Sequence, residues 1–241
     1  SEQDEQGVIF YASNTSLDNH TIDGYFIYKN DDAVSPKGWN SDIYTFGIHA
    51  AGFFGERWKY FAQVAPQFGH KNGAKVCALG SYNRLSYHFN DAMKNSLRLT
   101  YEYRSGHEDD PQAGFDILWG RYFQHTSNLL NYYLSPLETL KAAPSNYHRV
   151  GFGWSTNLMP RLSLKMDYHL LFADRNNFSH SPNFSDSGCF RGQLFTSVIE
   201  YTFNKHVSTH LMTECFFPGD YYSDLRNDPA VYLKYQLVFK F

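Results

Sequence analysis

Residues Ala230 to Phe241 read A-V-Y-L-K-Y-Q-L-V-F-K-F. Side chains of an extended strand alternate between its two faces. Val231, Leu233, Tyr235, Leu237, Phe239 and Phe241 therefore share one side, and Tyr232, Lys234, Gln236, Val238 and Lys240 share the other. One face is apolar and the other polar. A tilted strand crosses a bilayer in roughly 9–11 residues, and this stretch is long enough to do so. The same pattern recurs along nearly the whole chain at similar lengths. That recurrence predicts an all-β protein, an antiparallel up-and-down transmembrane β-barrel, with this stretch as its closing strand.

The totals conceal that pattern. The chain has 241 residues, 18% of them aromatic, and a formal net charge of -3. Its mean hydropathy is -0.50, because lipid-facing and lumen-facing residues cancel in an average. No apolar run approaches the roughly 18 residues of a membrane helix, so any crossing is by strands. The start, Ser1-Glu2-Gln3-Asp4-Glu5, is polar and acidic and fits a mature or trimmed terminus. Cys77, Cys189 and Cys215 have no metal-ligand spacing, and their odd number points to incidental thiols.

Candidate strands lie at 6–13, 20–30, 40–53, 57–69, 73–89, 94–105, 145–157, 160–173, 189–203, 206–217 and 230–241, all in one domain, 1–241. Aromatics at strand ends (Trp58, Tyr60, Phe89, Trp154, Phe172, Phe203, Phe216 and Phe217) suit the interfacial girdles of a membrane barrel. Short links alternate with long ones at about 31–39, 106–144, 174–188 and 217–229, and Lys71-Asn72-Gly73 is the short exception in the long series. Tight periplasmic turns and extended outer loops give that rhythm. The outer loops carry Glu108-Asp109-Asp110, Asp186 and Asp220 through Asp228. Segment Leu129, Leu130, Tyr132, Tyr133, Leu137 and Leu140 of loop 106–144 suits either a short helix or a further hairpin folded over the pore.

Eleven strands pose a parity problem. A bacterial barrel with both termini in the periplasm has an even number, and here the first strand would start outside. Several stretches carry a resemblance that bears on this. They are Val64-Ala65-Pro66-Gln67-Phe68-Gly69, then Tyr101-Glu102-Tyr103-Arg104-Ser105-Gly106-His107-Glu108-Asp109-Asp110-Pro111 leading to Gly114-Phe115-Asp116. Arg161 to His169 and Phe216-Phe217-Pro218-Gly219-Asp220-Tyr221 complete the set. In this order the chain resembles the alginate-export family of outer-membrane barrels. The resemblance implies a barrel of about eighteen strands, of which this chain is the C-terminal portion. The remaining seven strands restore an even count; either they are absent here or another chain supplies them.

If the apolar stripes face lipid, the opposite stripes line the interior. The expected lumen cations are Lys59, Arg84, Arg98, Arg104, Arg149, Arg161, Lys165, Lys234 and Lys240, against Glu102, Asp167, Glu200 and Glu214. A basic, low-dielectric passage concentrates anions, and the planar fork of arginine meets carboxylate in two parallel bonds. His49, His88, His169 and His210 fall on the same stripes. The plainer reading pairs Arg98 or Arg104 with Glu102 and Lys165 with Asp167 as lumen filling.

Passage of anionic solutes is the leading expectation, by resemblance an acidic polysaccharide such as alginate, with outer-membrane lipid around the barrel. The alternative is a non-conducting structural barrel that anchors other envelope proteins. Enzymatic readings are weaker. Asp186 and His180 with Ser179, Ser181 and Ser185 lack a nucleophile setting, and Glu102 with Asp167 have cations beside them. Neither HExxH nor a phosphate loop occurs, and His206 with His210 have helical metal spacing on a strand. No cofactor or metal is expected, and no nucleic acid, since the basic residues face inward.

Overall fold

A computed structural model describes residues 3–36, 38–107, 113–119, 129, 145–176 and 181–241. Its strands are β1 (Gln3–Asn14), β2 (His20–Ala33), β3 (Ser41–Phe54), β4 (Trp58–Lys71), β5 (Ala74–His88), β6 (Ser96–Arg104), β7 (Tyr147–Met159), β8 (Leu162–Phe172), β9 (Phe190–Thr202), β10 (Val207–Pro218) and β11 (Ala230–Phe239). They form one 11-stranded sheet in chain order, every neighbouring pair antiparallel. All eleven expected strands are present, their ends within a few residues of the expected bounds. Glu108, Asp109, Asp110, Ser179, His180 and, apart from Leu129, the apolar segment 129–140 lie outside the described residues.

Local chemistry fixes one of the two tightest hairpins. Lys71 pairs with Ala74, leaving only Asn72 and Gly73 between β4 and β5, at φ 50 and φ 84. A two-residue turn of this hand needs positive φ at both positions, which Asn and Gly tolerate best. Gly69 meets a sharper demand, for a Cβ there would lie 1.9 Å from the Asp42 carbonyl oxygen.

The two faces of the sheet decide what kind of sheet it is. Outward residues such as Phe46, Ile48, Leu99, Phe152 and Leu233 are 50%, 52%, 54%, 54% and 67% exposed. Inward Asp31, Gln67, Arg149 and Glu214 are 0%, 0%, 1% and 0% exposed. A soluble sandwich buries the apolar stripe and wets the polar one; this sheet does the reverse, as a bilayer-facing wall must. Outward aromatics meet across strands, Phe26 tilted against Phe46 at 5.0 Å and Tyr28 stacked on Tyr44 at 4.9 Å, while Trp58 meets Tyr87 at 4.8 Å near the short-turn rim. Phe216 is a correction: it is 1% exposed and inward, because its neighbour Phe217 takes the outward position and one strand cannot turn both the same way.

The sheet is open. β1 and β11 both run from the long-loop end to the short-turn end, so they cannot pair antiparallel with each other. Closing the wall in the same style takes an odd number of further strands.

Candidate functional site

Three groups of residues occupy the inner face. The first is a strap, residues Ala113 to Trp119, that leaves β6 and turns back across β1 to β5. Gln67 grips it twice, donating to the Asp116 carbonyl at 2.7 Å and accepting from the Asp116 amide at 2.8 Å. Lys71 closes on the Asp116 carboxylate at 2.5 Å, both side chains being nearly buried. Phe115 lies over Gly80 and Trp119 over Gly7, where any Cβ would strike the rings. Phe115 and Leu118 pack on buried Ile43, Val76 and Ala78. Lys29 donates to the Leu118 carbonyl at 3.4 Å, stands 5.7 Å from the Trp119 ring centroid, and pairs with Asp31 at 3.0 Å. Asp31 also accepts from Trp39 and Ser41.

On β8 to β11 a second group fills the outer end. Leu171, Leu194, Phe216, Phe184, Tyr221 and Tyr222 form an apolar cluster. Arg191 is folded into it, donating to the Asn146 carbonyl at 2.7 Å, with its guanidinium 5.0 Å from the Tyr221 ring centroid. Glu214 accepts the Leu129 amide at 2.7 Å.

Between them lies the basic wall, on the inner faces of β5 to β8. Glu102 accepts from Arg149 at 2.5 Å, from Arg104 at 3.0 Å and from Tyr147 at 2.7 Å. Arg98 reaches from β6 past β7 to Asp167 on β8 at 2.6 Å. That reach exists because β7 carries Gly153 between them, where a Cβ would stand 2.2 Å from the Asp167 oxygen and 2.5 Å from Arg98. Lys165 lies 3.5 Å from the same carboxylate, its side chain 54% exposed. Arg84 is half-buried on the same wall and has no carboxylate within pairing distance among the described residues. His169 sits over Gly151, buried, with its Nδ1 unbonded among the described residues.

The expected cations thus divide. Arg84, Arg98, Arg104, Arg149 and Lys165 come together on one wall. Lys59 also faces inward but stands apart at the short-turn rim, its Nζ 5.4 Å from the Phe53 centroid, and Lys234 is half-buried on the inner stripe of β11. Arg161 is not a strand residue: it sits exposed in the turn before β8 and donates to the Phe203 carbonyl at 2.8 Å. Lys240 lies beyond β11, its amide on the His206 carbonyl. Arg98 pairs with Asp167 rather than Glu102.

The sequence reading missed inward Lys29, Lys71 and Arg191 and, with them, Asp23, Asp31 and Asp116. Asp23 accepts from Tyr11 and lies 3.1 Å from His49. The inner face as a whole is therefore nearer to charge balance than the strand stripes imply, and its basic character is concentrated on β5 to β8. Of the described enzyme candidates, Glu102 and Asp167 are paired with arginines, and Ser185 Oγ accepts the Gly188 amide at 2.8 Å. Cys77, Cys189 and Cys215 are free thiols.

Comparison with known proteins adds four findings. The family described as alginate export matches residues 2–236. Among solved structures, a NanC porin in a rhombohedral crystal form is similar at 11% identity and TM-score 0.45, over 99% of this chain and 96% of that one. A membrane protein from work on in-meso crystallization is similar at 12% identity and TM-score 0.39, over 99% of this chain and 78% of that one. Curated protein sequences contain no match.

Proposed function

The chain belongs to the alginate-export family and is an integral outer-membrane β-barrel of channel type, and from that premise we propose that its inner face conducts anionic solutes, with an acidic polysaccharide such as alginate as the substrate. The observation that carries this reading is the wall of β5 to β8, where, among the described residues, Arg84, Arg98, Arg104, Arg149 and Lys165 stand with the carboxylates of Glu102 and Asp167. Arg104 and Arg149 are consumed largely by Glu102. Arg84 and the exposed end of Lys165 remain to meet a passing carboxylate, and a guanidinium in a confined polar space does so with two parallel bonds. In this reading further strands, seven by the family's expected size, close the wall between β1 and β11, from the same polypeptide or from a partner chain.

Planar-bilayer recording tests the proposal. The protein gives anion-selective current that a polyuronate blocks, and Arg84→Glu with Lys165→Glu shifts the reversal potential toward cation preference. A wild-type current without anion preference overturns it.

One observation favours a second reading. The strap and the apolar cluster both occupy the outer half of the inner face, which suits a plugged barrel that anchors envelope partners. Absence of conductance from every preparation, with the fold intact, selects that reading.

A further inference from the structure

The wall beside the basic one, which shares β5 with it, carries rings. On the inner faces of β2 to β5, Tyr25, Phe61 and Tyr82 are half-buried, neither packed into a core nor standing in open solvent. Tyr25 lies over Gly47, where a Cβ would sit 1.9 Å from the ring, and its hydroxyl accepts from Gln63 at 2.6 Å. Phe61 meets Tyr82 edge-on at 5.6 Å and stacks on His49 at 4.9 Å. Phe115 of the strap continues the row at its outer end. Gly47 beneath Tyr25 and Gly80 beneath Phe115 let these two rings lie against the backbone.

Rings and polar groups converge under the strap. A cavity of about 350 Å³ is bounded by Tyr25, Tyr82 and Phe115, with Gln63, Arg104 and Glu102 at its edge. The charges nearest the strap are already matched, Lys71 with Asp116 and Lys29 with Asp31. An inorganic anion has little to gain there. A pyranose ring differs: its C–H-rich face stacks on an aromatic, while its hydroxyls and carboxylate stay at the ring's edge, where amides and guanidinium are placed to bond them.

We propose that the inner face of β2 to β5 is a stacking path for pyranose rings, beginning at the cavity under Phe115 and continuing along Tyr82 and Phe61 toward the short-turn rim. The ligand class is a uronic-acid oligosaccharide: the rings take the sugar face, and Arg84, paired with Phe61 across β4 and β5, takes a carboxylate. This rests on the reading of a conducting basic lumen and sharpens it, since charge alone does not distinguish a uronide from sulfate.

The test compares block of ion current by a hexameric uronic-acid oligosaccharide and by sulfate, in the wild type and in the double variant Phe61→Leu/Tyr82→Leu. Leucine keeps apolar volume but has no ring face. The half-blocking concentration of the hexamer is expected to rise about tenfold in the double variant, with sulfate block and reversal potential unchanged. Tyr82→Phe, which keeps the ring, is expected to stay near wild type. A retained mobility shift on unheated gels establishes that each variant is folded, and Phe61→Leu alone serves if the double variant is not. Hexamer block that is unchanged without the rings overturns the stacking path while leaving the channel reading intact. Should the protein carry no current, calorimetric titration of the hexamer into the detergent-folded protein reads the same ratio. Failure of the wild type to bind it there overturns the proposal.

Discussion

The wall of β2 to β4 and the wall of β5 to β8 arise from the same alternation, yet one is electrostatically closed and the other open. On β2 to β4 each buried lysine has its own carboxylate, Lys29 with Asp31 and Lys71 with Asp116. On β5 to β8, two arginines share Glu102, while Arg98 and Lys165 share Asp167. The difference lies in what the connections deliver. The strap brings Asp116 and a covering of aromatics to the first wall. Among the described residues, the acids paired on the second wall come from its own strands. A strand face therefore becomes a binding surface or a scaffold according to which loop lies on it.

Glu102→Ala should break the contrast most severely. It removes the carboxylate to which buried Arg149 donates, and removing one partner of a buried pair costs about 3–5 kcal/mol. Urea titration of folding into lipid vesicles measures this, and a loss below about 1 kcal/mol would mean that the pair behaves as a surface one. Asp116→Ala acts on the other wall. It removes a charge-assisted bond of about 1.5–3 kcal/mol and frees the strap, so single-channel conductance should rise; unchanged conductance would show that the strap does not narrow the path.

Gly153→Ala probes the bridge across β7. A double-mutant cycle on Arg98 and Asp167 should give a coupling of about 0.5–1.5 kcal/mol that falls to near zero in the Gly153→Ala background. Persistent coupling would mean that the ion pair finds another route. The smallest effect belongs to a turn on neither wall. The Asp91 carboxyl accepts from the side chain and the amide of Asn95 between β5 and β6, and those bonds hold its pKa below the usual carboxylate range. A depressed folded pKa contributes stability that is complete above the unfolded pKa and is lost as pH falls through the folded one. Asp91→Asn should therefore soften the acid limb of the stability profile slightly and leave ion selectivity untouched. A shift in selectivity would place this turn on the solute path.

The strands were legible because period-two alternation is a local signal, and the inward placement of the cations on β5 to β8 followed from it directly. Arg161 did not follow, because alternation continues on paper through Pro160-Arg161 whereas the chain there is turning. The Asp23 and Asp31 positions were obscured for another reason. The inner stripe of β2, Asp23, Tyr25, Ile27, Lys29 and Asp31, mixes apolar with charged residues, so neither face of that strand reads as plainly polar. The strap was beyond reach: Gln67 and Asp116 are 49 residues apart, and nothing local announces that a loop residue will fold inward to meet a strand. Yet both belong to stretches that carried the family resemblance. Those stretches mark where the loop meets the wall.

Because each strand is bonded only to the strands beside it in the chain, the wall grows by local steps. No distant partner must be found before the next hairpin can add, which keeps the sequence separation of contacts low for a sheet this wide. The same bookkeeping makes the hairpin a unit of size: gain or loss of one would alter the circumference by two strands while every remaining residue kept its neighbours and its side of the wall.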